Sequence, residues 1–160
     1  MSPSESAQLL QDLEVYHPYG VVGSLPWLSK DNAIEFGGEP SGSQLSALAG
    51  QIKTFTEGTD AESSEVNGIR SIMKTAQRLI FLGFAFHKLN LDMLVPSAST
   101  APPTGRRVLA TAHGISDSDV TVVAEDLATR GVLIAKDIQI RNDLTCSQLF
   151  VEYSRTLSFA

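Results

Sequence analysis

The chain has one cysteine in 160 residues, Cys146, so no internal disulfide can form and a cysteine-rich zinc site is excluded. It is also short of positive charge. Twelve Lys and Arg stand against eighteen Asp and Glu, a net charge of −6, which leaves no electrostatic footprint for nucleic acid. No apolar run approaches the roughly 18 residues of a membrane span. The longest, Leu79-Ile80-Phe81-Leu82-Gly83-Phe84-Ala85-Phe86, has the length of a strand. The start, Met1-Ser2-Pro3-Ser4-Glu5, lacks the basic and apolar regions of a signal peptide. By elimination these absences point to a cytoplasmic protein without a membrane partner. There is no HExxH, no phosphate-binding P-loop, no Ser/His/Asp arrangement and no cluster of metal ligands, so no metal is expected.

What is present is an alternation of apolar runs and helical patterns. Hydrophobic residues make up 42% of the chain, which suits one domain with a moderate core spanning about residues 13–157. Leu13-Glu14-Val15-Tyr16 and Ala33-Ile34-Glu35-Phe36 are short strand candidates, separated by a Gly- and Pro-punctuated loop over 20–30. Leu45, Leu48, Ile52 and Phe55 recur at helical spacing, as do Val66, Ile69, Ile72, Met73 and Ala76. Leu79 to Phe86 is apolar on both faces, the pattern of a central strand in a parallel sheet. A short helix over 87–94, a Pro-rich loop over 96–105 and a strand over 108–112 follow. Ser116 and Asp119 resemble a capping box that opens a helix with Val120, Val123, Ala124 and Leu127 inward and Gly131 as its stop. Residues 132–134 and 138–140 read as strands, and Thr145 with Gln148 caps a last helix through Leu149, Tyr153 and Leu157. The expected packing set is Leu45, Leu48, Ile52, Ile69, Ile72, Val123 and Leu127. The fold class is α/β: a Rossmann-like, mostly parallel sheet with helices on both faces. In such sheets ligands sit at the C-terminal ends of strands, so the residues just after strands carry the functional interest.

Three of those ends stand in the order of a known family. Val15-Tyr16-His17-Pro18-Tyr19-Gly20 resembles a strand that ends in a His-Gly pair. Ile34-Glu35-Phe36-Gly37-Gly38-Glu39 is similar to an apolar strand ending in Phe-Gly-Glu. Leu82-Gly83-Phe84-Ala85-Phe86-His87 is similar to a strand end of the form Gly-Phe-Ser-Phe-x-Asp, and Arg107-Val108-Leu109-Ala110-Thr111-Ala112-His113-Gly114 to the strand that often follows it. Together, over about residues 13–115, they resemble the C-terminal half of the SIR2-like (sirtuin-type) NAD-binding domain.

The resemblance implies a nucleotide, NAD or a relative, as ligand. It implies His17 or Tyr19 near the chemistry, and Gly20, Gly83, Phe84, His87 and Asn90 against the cofactor. Two departures qualify the activity. The family's Gly-Ala-Gly-x-Ser run, whose amides cradle the pyrophosphate, has no counterpart here. The position of the family's catalytic histidine holds Tyr19. A phenol is a poor general base at neutral pH, whereas an imidazole such as that of His17, on the same face if the segment is extended, is suited to the task.

Each residue has a plainer alternative. His17 is also a loop histidine before a proline. Gly83 is also a packing glycine, and His87 and Asn90 can cap the short helix. Asp92 reads as a helix residue complementing the dipole, Trp27 as packing and Cys146 as structural. His113 stands at a strand end whose order in the chain is wrong for the family's catalytic pair, and Glu39 is marked by its strand-end position alone. Three functions stay open: a NAD-hydrolysing domain of prokaryotic defence type that needs a missing N-terminal half, a degenerate nucleotide-contacting or assembly module, and an unrelated α/β protein. If half of a larger sheet is missing, self-association or a partner chain should cover the apolar edge.

Overall fold

The computed structural model describes residues 4–5, 8, 13–19, 34, 37–50, 64–95 and 101–158. The chain divides into two compact units, Met1–Asn67 and Gly68–Ala160.

In the first unit the one long described helix is α1, Gly42–Ala49, with Ser41 as its N-cap. Ser41 and Gln44 form a capping box in which the Gln44 side chain takes the Ser41 backbone N–H at 2.9 Å. Leu48 is buried, but Leu45, expected inside, is 55% exposed, so only the last turn of this short helix is covered. Ile52 and Phe55, and the expected strand and loop over 20–36 apart from Ile34, lie outside the described residues. Leu13–Tyr16 is not a strand. Leu13 and Val15, which would share one face, are both 58% exposed. The segment is tied locally instead, by the Tyr16 hydroxyl donating to Glu14 Oε2 at 2.9 Å.

The second unit is built on three parallel strands. β1 is Arg78–Phe81, β2 is Arg107–Thr111 and β3 is Ile138–Arg141, in the spatial order β1-β2-β3. Arg78 pairs with Arg107, and Val108 with Ile138. The central strand of the described sheet is therefore β2, not the run over 79–86. That run stops being a strand at Phe81, because Gly83 adopts φ +58 and Phe86 φ +50, left-handed values that no ladder accommodates. Leu79 and Phe81 are buried while Ile80 is 37% exposed, the alternation of a strand covered chiefly on one side. β2, with Val108, Leu109, Ala110 and Thr111 all buried, carries the two-faced pattern.

Helices meet both faces of this sheet. Leading into it is α2, Ser64–Thr75. Val66 is buried and Ile69, Met73 and Ala76 are half-buried, but Ile72 is 41% exposed. It follows from geometry: neighbouring residues stand about 100° apart, which swings Ile72 away from the Val66–Met73 face. Between β1 and β2 lies α3, Lys88–Leu94; between β2 and β3 lies α4, Asp117–Thr129. Leu91 of α3 and Leu127 of α4 are fully buried in one cluster with Val108 and Ala110. The chain ends in α5, Cys146–Glu152, and α6, Ser154–Leu157. They serve the other side of β2, where Thr111 meets Cys146 and Leu109 shares a crevice with Leu157.

The helix α4 is bounded as its sequence suggests. The Ser116 hydroxyl accepts the Asp119 N–H at 3.1 Å. At the far end Gly131, φ +75, lets its N–H reach Ala128 O and the Val132 N–H reach Leu127 O, at 2.9 and 3.1 Å, a Schellman closure. This costs the expected strand over 132–134, since the Val132 N–H is already committed. Among the described residues, no helix is long and apolar enough to cross a membrane.

Candidate functional site

The C-terminal ends of the three strands bring Leu82-Gly83, Ala112-His113-Gly114 and Asn142-Asp143 to one edge of the sheet. At its centre the Gly83 N–H donates to Thr111 Oγ1 at 3.1 Å. The same hydroxyl lies 3.6 Å from Cys146 Sγ, at the start of α5. A Cβ on Gly83 would stand 3.9 Å from that sulfur, an ordinary contact, so glycine is needed here for its left-handed φ rather than for space. Thr111 is 3% exposed and joins the end of β1 to the start of α5. Nothing in the sequence marked it beyond its place at the end of a strand.

The β2–β3 side is fastened by backbone. Ala112 N–H donates to Arg141 O and Gly114 N–H to Asn142 O, at 2.9 and 3.2 Å. Asn142 Nδ2 donates to Ile115 O at 3.0 Å and to Asp117 Oδ1 at 2.7 Å, so this amide joins the strand end to the first turn of α4. Arg141 grips Asp143 with two bonds of 2.8 Å, and its guanidinium lies 6.0 Å from the centre of the Tyr153 ring. The Arg141 fork holds the Asp143 carboxyl below the usual carboxylate range and Asp143 in turn raises the guanidinium. His113 stands exposed beside this pair.

Beyond Gly83 the chain turns through an aromatic trio. Phe84 is 5.6 Å from Phe81 and 5.2 Å from Phe86, centroid to centroid, the latter edge to face. Phe86 itself is buried with a left-handed φ, a backbone strain that packing must offset. His87 is the N-cap residue of α3 by position, yet its side chain makes no capping hydrogen bond. Asn90 is half-buried in the first turn of the same helix.

The expected cofactor residues Gly83, Phe84, His87 and Asn90 thus sit on one short segment leaving β1. Of the remaining expected residues, His17 is exposed in the first unit, and Pro18 and Tyr19 form a turn, so the extended arrangement expected of His17 and Tyr19 is not formed. Gly20 and Trp27 lie outside the described residues. Asp92 does not serve the α3 dipole in its first turn. It bridges Lys88 at 3.2 Å and the buried Arg130 at 2.8 Å, which holds its carboxyl below the usual range. Among the described residues, no group of three His, Cys, Asp or Glu is placed to hold a metal ion.

The segment leaving β1 can therefore present backbone and an aromatic edge to a flat, uncharged group, with His87 and His113 as exposed polar neighbours. No family model, curated protein or solved structure matches this chain.

Proposed function

We propose that the chain is a Rossmann-like module of SIR2-like type that contacts a nucleotide, NAD or a related one, at the C-terminal edge of its sheet without hydrolysing it unaided. The observation that carries this reading is Gly83. It leaves β1 in a left-handed conformation, its N–H is fixed by Thr111, and Phe84, His87 and Asn90 follow it within two turns of chain. That is the strand-end position at which open α/β sheets take ligands. Against turnover stand the absence of a Gly-Ala-Gly-x-Ser run in the sequence and the tyrosine at position 19. An assembly role in the cytoplasm, through a second copy or a partner chain, is supported by exposed apolar side chains on the second unit: Val122, Ile134, Phe150 and Val151.

The test is incubation of the purified chain with NAD, following nicotinamide release and, in parallel, amide chemical shifts. The expected result is no release, with shifts centred on Gly83–Asn90. Robust release that His17→Ala abolishes would overturn the reading in favour of an enzyme. Unmoved amides at Gly83–Asn90 with saturating NAD and with ADP would remove the nucleotide altogether.

A further inference from the structure

Open α/β sheets hold phosphate groups at their strand ends through backbone N–H groups at the start of the following helix. At the C-terminal edge of this sheet the chain's own polar groups stand in that place. The longest described helix that follows a strand, α4, has Asp117 and Asp119 in its first turn. The Ser116 hydroxyl accepts the Asp119 N–H at 3.1 Å and donates to Asp119 Oδ2 at 2.8 Å. Asp117 Oδ1 accepts from Asn142 Nδ2 at 2.7 Å, which ties its carboxylate to the end of β3. Two negative side chains thus already complement the positive end of this helix.

The end of β3 adds a third carboxylate. Asp143 holds the Arg141 fork with two bonds of 2.8 Å, so the guanidinium that a phosphate would seek is already committed. The start of α5 is closed by its own box: the Gln148 N–H reaches Thr145 Oγ1 at 3.4 Å, and the Thr145 N–H reaches Gln148 Oε1 at 2.9 Å. Lys88, the first cation after Gly83 in the chain, bonds Asp92 one turn further along α3 at 3.2 Å. The β1 side has the opposite character. Leu82 and Leu89, on either side of Phe84 in the chain, are 40 and 49% exposed, and Phe84 itself is half-buried. Surface of this kind takes the face or edge of a base and gains nothing from a phosphate.

We propose that the Gly83 edge takes the nucleoside part of its ligand, base and ribose, and turns the phosphates away from the carboxylates of Asp117, Asp119 and Asp143. The proposal rests on the nucleotide reading of the same edge and narrows it from a whole nucleotide to a nucleoside moiety.

The test titrates two nucleosides, adenosine and nicotinamide riboside, into the isotope-labelled full chain beside their phosphorylated forms, ADP and nicotinamide mononucleotide. Ionic strength is constant and low, which leaves exposed charges unscreened. At least one nucleoside should shift the amides of Gly83–Asn90 and bind about threefold more tightly, or better, than its phosphorylated form, the effect of like charges brought near one another. The double variant Asp117→Asn/Asp143→Asn should close that gap by strengthening the phosphorylated form, because it removes two negative charges and releases the Arg141 fork. Asp119 is left in place because it belongs to the Ser116 cap. The variant's spectrum elsewhere should match that of the unaltered chain, which separates a change of charge from a change of fold. The comparison of probes in the unaltered chain stands without the variant. A phosphorylated form that binds as tightly as its nucleoside or more tightly, through the same amides, would overturn the proposal and leave the nucleotide reading standing. A gap that persists in the double variant would also overturn it, since the carboxylates would not be its source. Unmoved amides at Gly83–Asn90 with all four probes would remove both.

Discussion

Arg106 and Arg130 hold charges in the interior by opposite means. Among the described residues Arg106 pairs with no carboxylate; four backbone carbonyls, three of them at the end of α2, receive its donors, and burial pulls its guanidinium below the ordinary value. Replacing it with Met leaves those carbonyls without their shared partner. The expected loss is about 1.5–3 kcal/mol, the range for hydrogen bonds to a charged group, read from urea unfolding. Arg130 is instead clamped between Asp92 and Asp126, at 2.8 and 3.0 Å, and donates to Val95 O besides. Because Arg130, then Lys88, depresses the Asp92 carboxyl, its contribution to stability is fully present above the ordinary carboxylate value near 3.9 and is lost as pH falls through the depressed one. Acid titration of stability below about pH 4 should therefore be shallower in Asp92→Asn than in the parent. Parallel acid limbs in the two proteins would show that the pair does not couple folding to protonation. Neither arginine was legible as structural in the sequence, since their partners lie more than twenty residues away, apart from Asp126.

At the scale of elements, what was legible is what is local. The start of α4 at Ser116, its stop at Gly131 and the Thr145–Gln148 box of α5 all rest on residues within a few positions of one another, and all are formed. Gly131→Ala should cost about 1–2 kcal/mol, the penalty of a left-handed conformation for a residue with a Cβ, and it should loosen the Leu127–Val132 closure. Thermal unfolding measures the first, and faster amide exchange at Val132 the second. A variant as stable as the parent would mean that the turn refolds by another route. Strand rank was not legible. The apolar run over 79–86 suits a central strand by composition, but the rank belongs to β2, which is flanked by partners on both sides. Apolar content alone cannot separate a strand buried by two neighbours from one whose continuation is a packed aromatic turn at Phe84 and Phe86. The same limit applies to the site. Gly83 was legible because a glycine after an apolar run has few structural reasons, whereas Thr111 acquires its role only when β2 lies beside β1.

For the whole molecule, the continuous core is contained in one unit. From Leu79 to Ile138 every residue of the main buried cluster belongs to the segment after position 67, and Met73 of α2 and Ala76 just beyond it pack against it. A fragment spanning residues 64–160, which keeps α2 whole, should unfold in urea in one cooperative transition with its helical circular dichroism retained. A gradual loss of signal would place part of the driving force before Ser64. The order β1-β2-β3 has a further consequence for how such a unit is made. Successive strands are about thirty residues apart in the chain, and among the described residues β2 and β3 each pair with the strand that precedes them. On a ribosome, at roughly 5–20 residues per second, β2 and β3 each emerge a few seconds after the strand they pair with. A sheet in this order can be laid down in the direction of translation, with the final strand and the two closing helices sealing the layer last.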